Sequence, residues 1–352
     1  MPETIFWVSL AFISYVYFGY PLLLRLWSWT FPRRVNKGKY EPSVSLIIAA
    51  HNERETIARK LVNCLELEYP REKLQILVSL DGPSDGTENI VWRYAARGID
   101  VVYCSDHKGK AAAINRAVEE AGGEVLVFAD ARQRLDVLAI RELVANFRDP
   151  AIGVVSGALI LQDDRGRESS DGVGIYWRYE KWLRSQESRI HSILGATGAI
   201  YAIRRALFQP IPEGTILDDV AIPMQAVLCG WRSVYDPAAR AYDRVSESAE
   251  EEYQRKVRTL TGNYQLIAGM PRLLVPWRNP VFLQFVSHKV GRLLVPYFLI
   301  SLFISNIFLL HGFYAAVFSV QAVWYVLAFA GAPAPKPAVE RSYEVEGDVK
   351  AA

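Results

Sequence analysis

The chain has 352 residues, a hydrophobic fraction of 51%, a formal net charge of +2 and three cysteines. Near-neutral charge gives no electrostatic reason to expect a nucleic-acid partner. Cys64, Cys104 and Cys229 form no CxxC pair, which excludes a disulfide framework and a zinc ribbon and suits a reduced compartment.

The apolar excess is concentrated at two places. Ile5 to Leu24 carries no charge and is closed by Arg25, long enough to cross a bilayer core and without the basic start and cleavage site of a secretory signal. It is read as a retained anchor, residues 1–29. From Leu293 to Gly331 His311 is the only His, Asp, Glu, Lys or Arg, and that length suits two spans hinged at His311-Gly312, a hairpin over 293–331. A re-entrant or interfacial pair is the alternative, because Pro296 and Asn306 interrupt the first half. Arg25, Arg33, Arg34, Lys37 and Lys39 follow the first run and Lys289 and Arg292 precede the second. The positive-inside rule then places the intervening chain in the cytoplasm of a multi-pass inner-membrane protein.

After a basic linker, 30–41, the βα pattern begins. Val44 to Ala50 is a buried-strand run ending at His51-Asn52-Glu53, and a helical stretch to about Leu67 follows. Leu74 to Leu80 ends at Asp81-Gly82. Val101 to Tyr103 leads into Lys108-Gly109-Lys110 and an alanine-rich helix. Val125 to Ala129 ends abruptly in Asp130, which alone reads equally well as the cap of a helix over Val137 to Phe147. Four apolar runs ending in polar residues predict a mainly parallel sheet. Glu53, Asp81, Lys108, Lys110 and Asp130 then gather along its carboxyl edge, where nucleotides are held. No G-x-G-x-x-G follows the first strand and no Walker motif is present, which disfavours NAD and P-loop chemistry.

Beyond Phe147 the alternation loosens. Ile152 to Leu161 reads as one strand, 162–171 as a charged loop, and Val173 to His191 as a helix whose Tyr176, Trp177, Tyr179 and Trp182 are expected to serve packing before sugar binding. Gly195-Ala-Thr-Gly-Ala199 permits close approach of a ligand or another backbone. Asp218-Asp219 stands ahead of an apolar helix, where cap and dipole roles compete with chemistry, and Gly230-Trp231-Arg232 precedes a short strand. Glu250 to Ala268 is a charged helix with Arg255 and Arg258 on one face. Residues 271–292 are expected to approach the hairpin along the interface, and the Pro- and Ala-rich tail, 332–352, to lack structure.

The ordered set Ala50-His-Asn-Glu53, Asp81-Gly82, Lys108-Gly-Lys110, Asp130-Ala-Arg132, Gly195-Ala-Thr-Gly-Ala199, Asp218-Asp219 and Arg255-x-x-Arg258 resembles the membrane-bound family 2 glycosyltransferases, which include cellulose, hyaluronan and poly-N-acetylglucosamine synthases. The resemblance covers about residues 42 to 300. It implies an α/β GT-A fold: a Rossmann-like nucleotide-diphospho-sugar transferase domain, 42–270, with flanking transmembrane helices. It further implies an inverting transfer from a nucleotide-diphosphate sugar, usually UDP-linked, to a glycan or lipid-linked acceptor beside the bilayer.

Carried over by position, Ala50, Asn52 and Glu53 face the nucleoside and Asp81 the base. Lys108, Lys110, Arg255 and Arg258 serve the phosphate region. Asp130 matches the first acid of the DxD motif, which binds the diphosphate through Mg²⁺ or Mn²⁺. Asp219 matches the general base. Asp218, Thr197, Gly198 and Ala199 match the segment around donor sugar and acceptor. Arg255 and Arg258 correspond to the Gln and Arg of the family's QxxRW motif, and two departures matter. Arg132 replaces the second DxD acid, so the cation is held by one carboxylate with phosphate and water, or Arg132 itself meets the diphosphate. Thr259 replaces the tryptophan of QxxRW, which favours single addition over polymer synthesis. The rival readings are a polyprenyl-phosphate glycosyltransferase and a catalytically silent membrane scaffold of the same fold.

Overall fold

The computed structural model describes residues 1–162, 172–244 and 249–330. In chain order its helices are α1 (Pro2–Ser14), α2 (Tyr20–Thr30), α3 (Ile57–Leu65), α4 (Thr87–Ala95), α5 (Lys110–Glu119), α6 (Ala139–Val144), α7 (Gly172–Ile190), α8 (Asp218–Leu228), α9 (Ala249–Gly269), α10 (Phe282–Gln284), α11 (Gly291–Ile307) and α12 (Gly312–Ala330). The strands are β1 (Val44–Ala50), β2 (Leu74–Asp81), β3 (Ile99–Cys104), β4 (Val125–Phe128), β5 (Arg134–Leu135), β6 (Ile152–Gln162), β7 (Tyr201–Arg204) and β8 (Arg232–Arg244).

All eight strands form one sheet in the order β3-β2-β1-β4-β7-β6-β8-β5. The first four are parallel, as the apolar runs predict. The second half is mixed: β7 is antiparallel to both β4 and β6, while β6 and β8 run parallel. Both faces are covered, which is why the strands read as continuous apolar runs. Leu46 and Ile48 face one core with Ile57 and Leu61 of α3, and Ile47 faces the other with Ala111 and Ile114 of α5. Alanines at 111, 112, 113 and 117 are buried, and their small side chains let α5 press closely on β1 and β2.

Several boundaries differ from the expectation. The strand after Trp231 is not short: β8 has 13 residues. Its Pro237 lies where the register with β6 shifts between Ser156 and Ala158, so the missing N–H falls outside the ladder. Gly157 opposite has no room for a side chain, since a Cβ there would come within 2.4 Å of the Ala239 carbonyl oxygen and 2.6 Å of Ile200. The helix expected over Val137 to Phe147 is shorter: after Arg134–Leu135 pairs with β8, α6 begins only at Ala139, and from Ala145 to Arg148 it tightens into a 3-10 turn.

Among the described residues, three apolar helices are long enough to cross a membrane: Pro2–Thr30, Phe282–Ile307 and Gly312–Ala330. The first joins α1 to α2 through a π turn at Tyr15–Gly19, and the second joins α10 to α11 through another at Phe285–Val290. The second helix therefore starts at Phe282, within the stretch expected to be interfacial. The apolar run alone hides this start because His288, Lys289 and Arg292 lie in it. His288 and Arg292 are explained by α7. His288 Nδ1 lies 2.7 Å from Glu187 Oε1, which also accepts from the Tyr20 hydroxyl at 2.9 Å. Arg292 pairs with Glu180, and Gln284 Nε2 donates to the Ser192 carbonyl at 3.0 Å. The charged stretch 163–171 and the tail 332–352 lie outside the described residues.

Gly157→Ala is expected to lower stability by about 1–3 kcal/mol through overpacking between β6 and β8. Gly269→Ala, with open space around its Cβ position, serves as the control. Thermal unfolding of the two purified variants checks this.

Candidate active site

The carboxyl ends of β1, β2 and β4 open into one cleft of about 730 Å³, within the usual range for a small-molecule site. Each strand end is shaped by local bonds. After β1, Asn52 adopts φ 53°, a conformation Asn tolerates. Its Oδ1 accepts from Ser84 N at 2.8 Å, tying the loop after β1 to the loop after β2. After β2, the Asp81 carboxylate accepts from Gly109 N at 2.7 Å, Lys108 N at 3.2 Å and Arg116 Nη2 at 2.6 Å. His107 Nδ1 lies 2.8 Å from Asp81 Oδ2. Burial by itself would raise this carboxyl, but Arg116 and the two backbone amides hold it below the usual carboxylate range. His51 Nδ1 lies 2.7 Å from the Asp81 carbonyl oxygen, and its ring stacks on that of His107 at 3.8 Å.

Lys110, the first residue of α5, reaches across the sheet edge. Its Nζ lies 2.7 Å from Asp130 Oδ1 and 3.2 Å from Asp218 Oδ2. Burial alone would depress this ammonium; Asp218, Asp130 and Asp219 instead hold it well above the ordinary lysine value. Gly198, in the turn before β7, stands between the strand-end acid and the helix-start acid. Its amide donates to Asp219 Oδ2 at 3.1 Å, and a Cβ on it would sit 3.2 Å from Asp130 Oδ2. Asp218 and Asp219 open α8, where the helix dipole favours negative charge. Burial and the neighbouring Asp218 nevertheless push the Asp219 carboxyl up to about 6. A carboxyl in that range is suited to accept a proton near neutral pH.

The cleft gathers Ala50, Glu53, Asp81, Lys110, Asp130, Arg132, Thr197, Gly198, Ala199, Asp218, Asp219, Arg255 and Arg258. Two expected donor-binding residues fall outside its lining. Asn52 turns to Ser84, and Lys108 contributes its backbone N–H to Asp81 while Lys110 supplies the cation. Sequence reasoning missed His51, His107, Gln133, Trp177, Asp243 and Gln254, all of which line the cleft. The Trp177 expectation is corrected: this ring faces the cleft, whereas Tyr179 and Trp182 stack on one another. A short strand after Trp231 would end before Asp243, so the sequence gives no signal for this residue. It accepts from Arg132 Nη2 at 2.6 Å and Gln133 Nε2 at 2.9 Å.

Among the described residues no three His, Cys, Asp or Glu side chains converge as a cation cage. Asp130 has one oxygen on Lys110 and the other beside Gly198, and the second DxD position, Arg132, is paired with Asp243. This donor set fits a divalent cation that takes one protein carboxylate and completes its shell from phosphate oxygens and water.

Residues 45–211 match the family Glycosyl transferase family 2. The chain is 25% identical over 285 residues to the probable glycosyltransferase YdaM of Bacillus subtilis, covering 76% of this chain and 68% of that protein. It is 26% identical over 239 residues to the poly-beta-1,6-N-acetyl-D-glucosamine synthase of Staphylococcus aureus, covering 64% of this chain and 55% of the synthase, so it matches about half of that relative's length. The solved mannosyltransferase PcManGT from Pyrobaculum calidifontis, in complex with GDP-Man and Mn²⁺, superposes with a TM-score of 0.74 over 93% of this chain and 92% of that one, at 23% identity. The family match and the relatives agree: residues 45–211 carry a glycosyl transferase family 2 domain and the chain is a glycosyltransferase, while PcManGT shows the shared fold.

Proposed function

We propose that the protein transfers a sugar, with inversion, from a nucleotide-diphosphate sugar to a hydroxyl of a glycan or lipid-linked acceptor at the cytoplasmic face of the inner membrane. The observation that carries this reading is the Gly198 backbone between Asp130 and Asp219, with Lys110 bridging Asp130 to Asp218. One acid stands at the expected diphosphate position and another at the expected acceptor position, separated by a residue with no side chain.

In this mechanism Asp219 takes the acceptor proton as the acceptor oxygen bonds to the anomeric carbon and the bond to the diphosphate breaks. The negative charge that builds on the leaving nucleotide meets Lys110, Arg255 and Arg258. A divalent cation held by Asp130 supplies further positive charge to the diphosphate when bound. His51 and Glu53 meet the nucleoside. The Asp81 carboxylate is occupied by Arg116, His107 and the backbone at 108 and 109, so its part is to hold the wall of the nucleoside end. Trp177, Thr197, Ala199 and Thr259 border the acceptor side. Thr259 in place of a ring that stacks on a growing chain supports a single addition over a polymer.

The resemblance favours a UDP-linked donor, and the bound GDP-Man of PcManGT makes GDP-linked sugars the second class to test. A screen of UDP- and GDP-sugars in membranes, with and without Mn²⁺, followed by release of free nucleoside diphosphate, is expected to give turnover with one class and stimulation by the cation. No turnover with any of them would overturn the reading.

Asp219→Asn is expected to bind nucleotide diphosphate as the wild type does and to lose about a hundredfold to ten-thousandfold in transfer, the usual worth of a general base. Equilibrium binding of UDP and GDP beside a transfer assay checks both parts. The base works ionised, so the wild-type rate is expected to be flat above the Asp219 value of about 6 and to fall about tenfold per pH unit below it. A pH–rate profile from 4.5 to 8 provides the comparison, the span being set around that value.

A further inference from the structure

Lys60 is only 2% exposed, although lysine is rarely buried so completely. It lies on the inner face of α3 beside Leu61 and Cys64, and its ammonium donates to the Gln133 carbonyl at 2.9 Å. One turn further along α3, Asn63 grips the same segment: its Nδ2 donates to the Leu135 carbonyl at 2.9 Å and its Oδ1 accepts from Leu135 N at 2.7 Å. Helix α3 thus holds the turn after Asp130 at two points, one charged and one neutral. From the opposite side Asp243 holds Arg132 and Gln133.

A neutral donor would satisfy the Gln133 carbonyl equally well. A buried ammonium is costly unless a charge nearby offsets it. Burial pushes Lys60 below the ordinary lysine value, and the Cys64 thiol and Asp130 act in the other direction. The cleft above is crowded with acids, because Glu53, Asp130, Asp218, Asp219 and Asp243 all line it, and a nucleotide diphosphate adds further negative charge. A cation fixed behind the Asp130 turn, out of reach of water, weakens the field of those acids where the diphosphate binds, and salt screens it little.

Resting on the function proposed above, we infer that Lys60 is a positioning residue of the donor site: an internal counter-charge that holds the Asp130–Gln133 turn and lowers the electrostatic penalty of bringing a nucleotide diphosphate to it. Lys60 touches neither substrate nor reacting atoms; it acts through the turn and through Asp130.

The test compares Lys60→Gln, which keeps a donor and removes the charge, with Lys60→Met, which removes both, and with Asn63→Ala, which removes the neutral tether alone. UDP and GDP affinities are measured by calorimetry on the full-length protein in detergent, and donor KM and kcat in membranes. Thermal stability is expected to fall in all three. The nucleotide Kd and donor KM are expected to rise about tenfold in Lys60→Gln and Lys60→Met, with kcat changed by less than about threefold, while Asn63→Ala keeps both constants within about twofold of wild type. Should the Met variant not fold, the Gln variant carries the comparison. Equal nucleotide affinity in Lys60→Gln and wild type, or the same rise in Asn63→Ala, would overturn the inference. A wild-type chain that turns over no sugar nucleotide would overturn the proposed function instead, and the UDP and GDP affinities would still decide for or against Lys60.

Discussion

The ammonium of Lys110 is the contact on which the cleft depends. Three acids, Asp130, Asp218 and Asp219, come together from the end of a strand and the start of a helix far apart in the chain, and like charges so placed repel. Lys110 binds the first two directly and tempers the third. With Asp130 and Asp218 held in this way, Asp219 keeps the raised proton affinity, near 6, while its neighbours remain paired. Burial sets Asp219 apart from its neighbours, and Lys110 keeps those neighbours paired.

That cation is placed by the first half of the sheet. Asp81 at the end of β2 accepts the backbone N–H groups of residues 108 and 109, and this fixes where α5 begins and so where its first side chain points. Gly82 is part of the same device, since its φ of +56° and the 2.4 Å approach of its Cβ position to His107 N admit only glycine. The second half of the sheet places the partners. Antiparallel β7 brings the 197–199 turn alongside Asp130, and the long β8 delivers Asp243 to Arg132.

Much of this is legible in the sequence. Apolar runs stopping at Asp81 and Asp130 gave the strand ends, because a strand covered on both faces has no alternation to mask its boundaries. The Asp218-Asp219 pair and the 195–199 segment were recognisable as chemistry only through their order relative to the other motifs. What stayed hidden depended on contacts distant in sequence. Lys108 and Lys110 look interchangeable in the chain, yet the start of α5 sends one to the acids and leaves the other outside the cleft lining. Trp177 sits among rings that pack on each other, and helical spacing does not say which of them faces the cleft. Lys60 reads as a surface lysine until α3 is seen to turn it toward Gln133. The full length of β8 is not visible in the chain, because Pro237 falls within it and only the register shift opposite Gly157 accommodates that residue.

Helix α7 has a further consequence. Glu187 engages Tyr20 of the first apolar helix and His288 of the second at once, and Gln284 reaches the Ser192 carbonyl just ahead of the segment that carries Thr197 and Gly198. A transferase on a slack tether samples hydroxyls at many heights above a lipid surface. A cleft bolted to two lipophilic helices through one shared carboxylate works at a single height. Under the function proposed above, which hydroxyl of a membrane-borne acceptor meets Asp219 would then be a matter of reach as well as of fit, and the apolar helices would act as a ruler as much as an anchor.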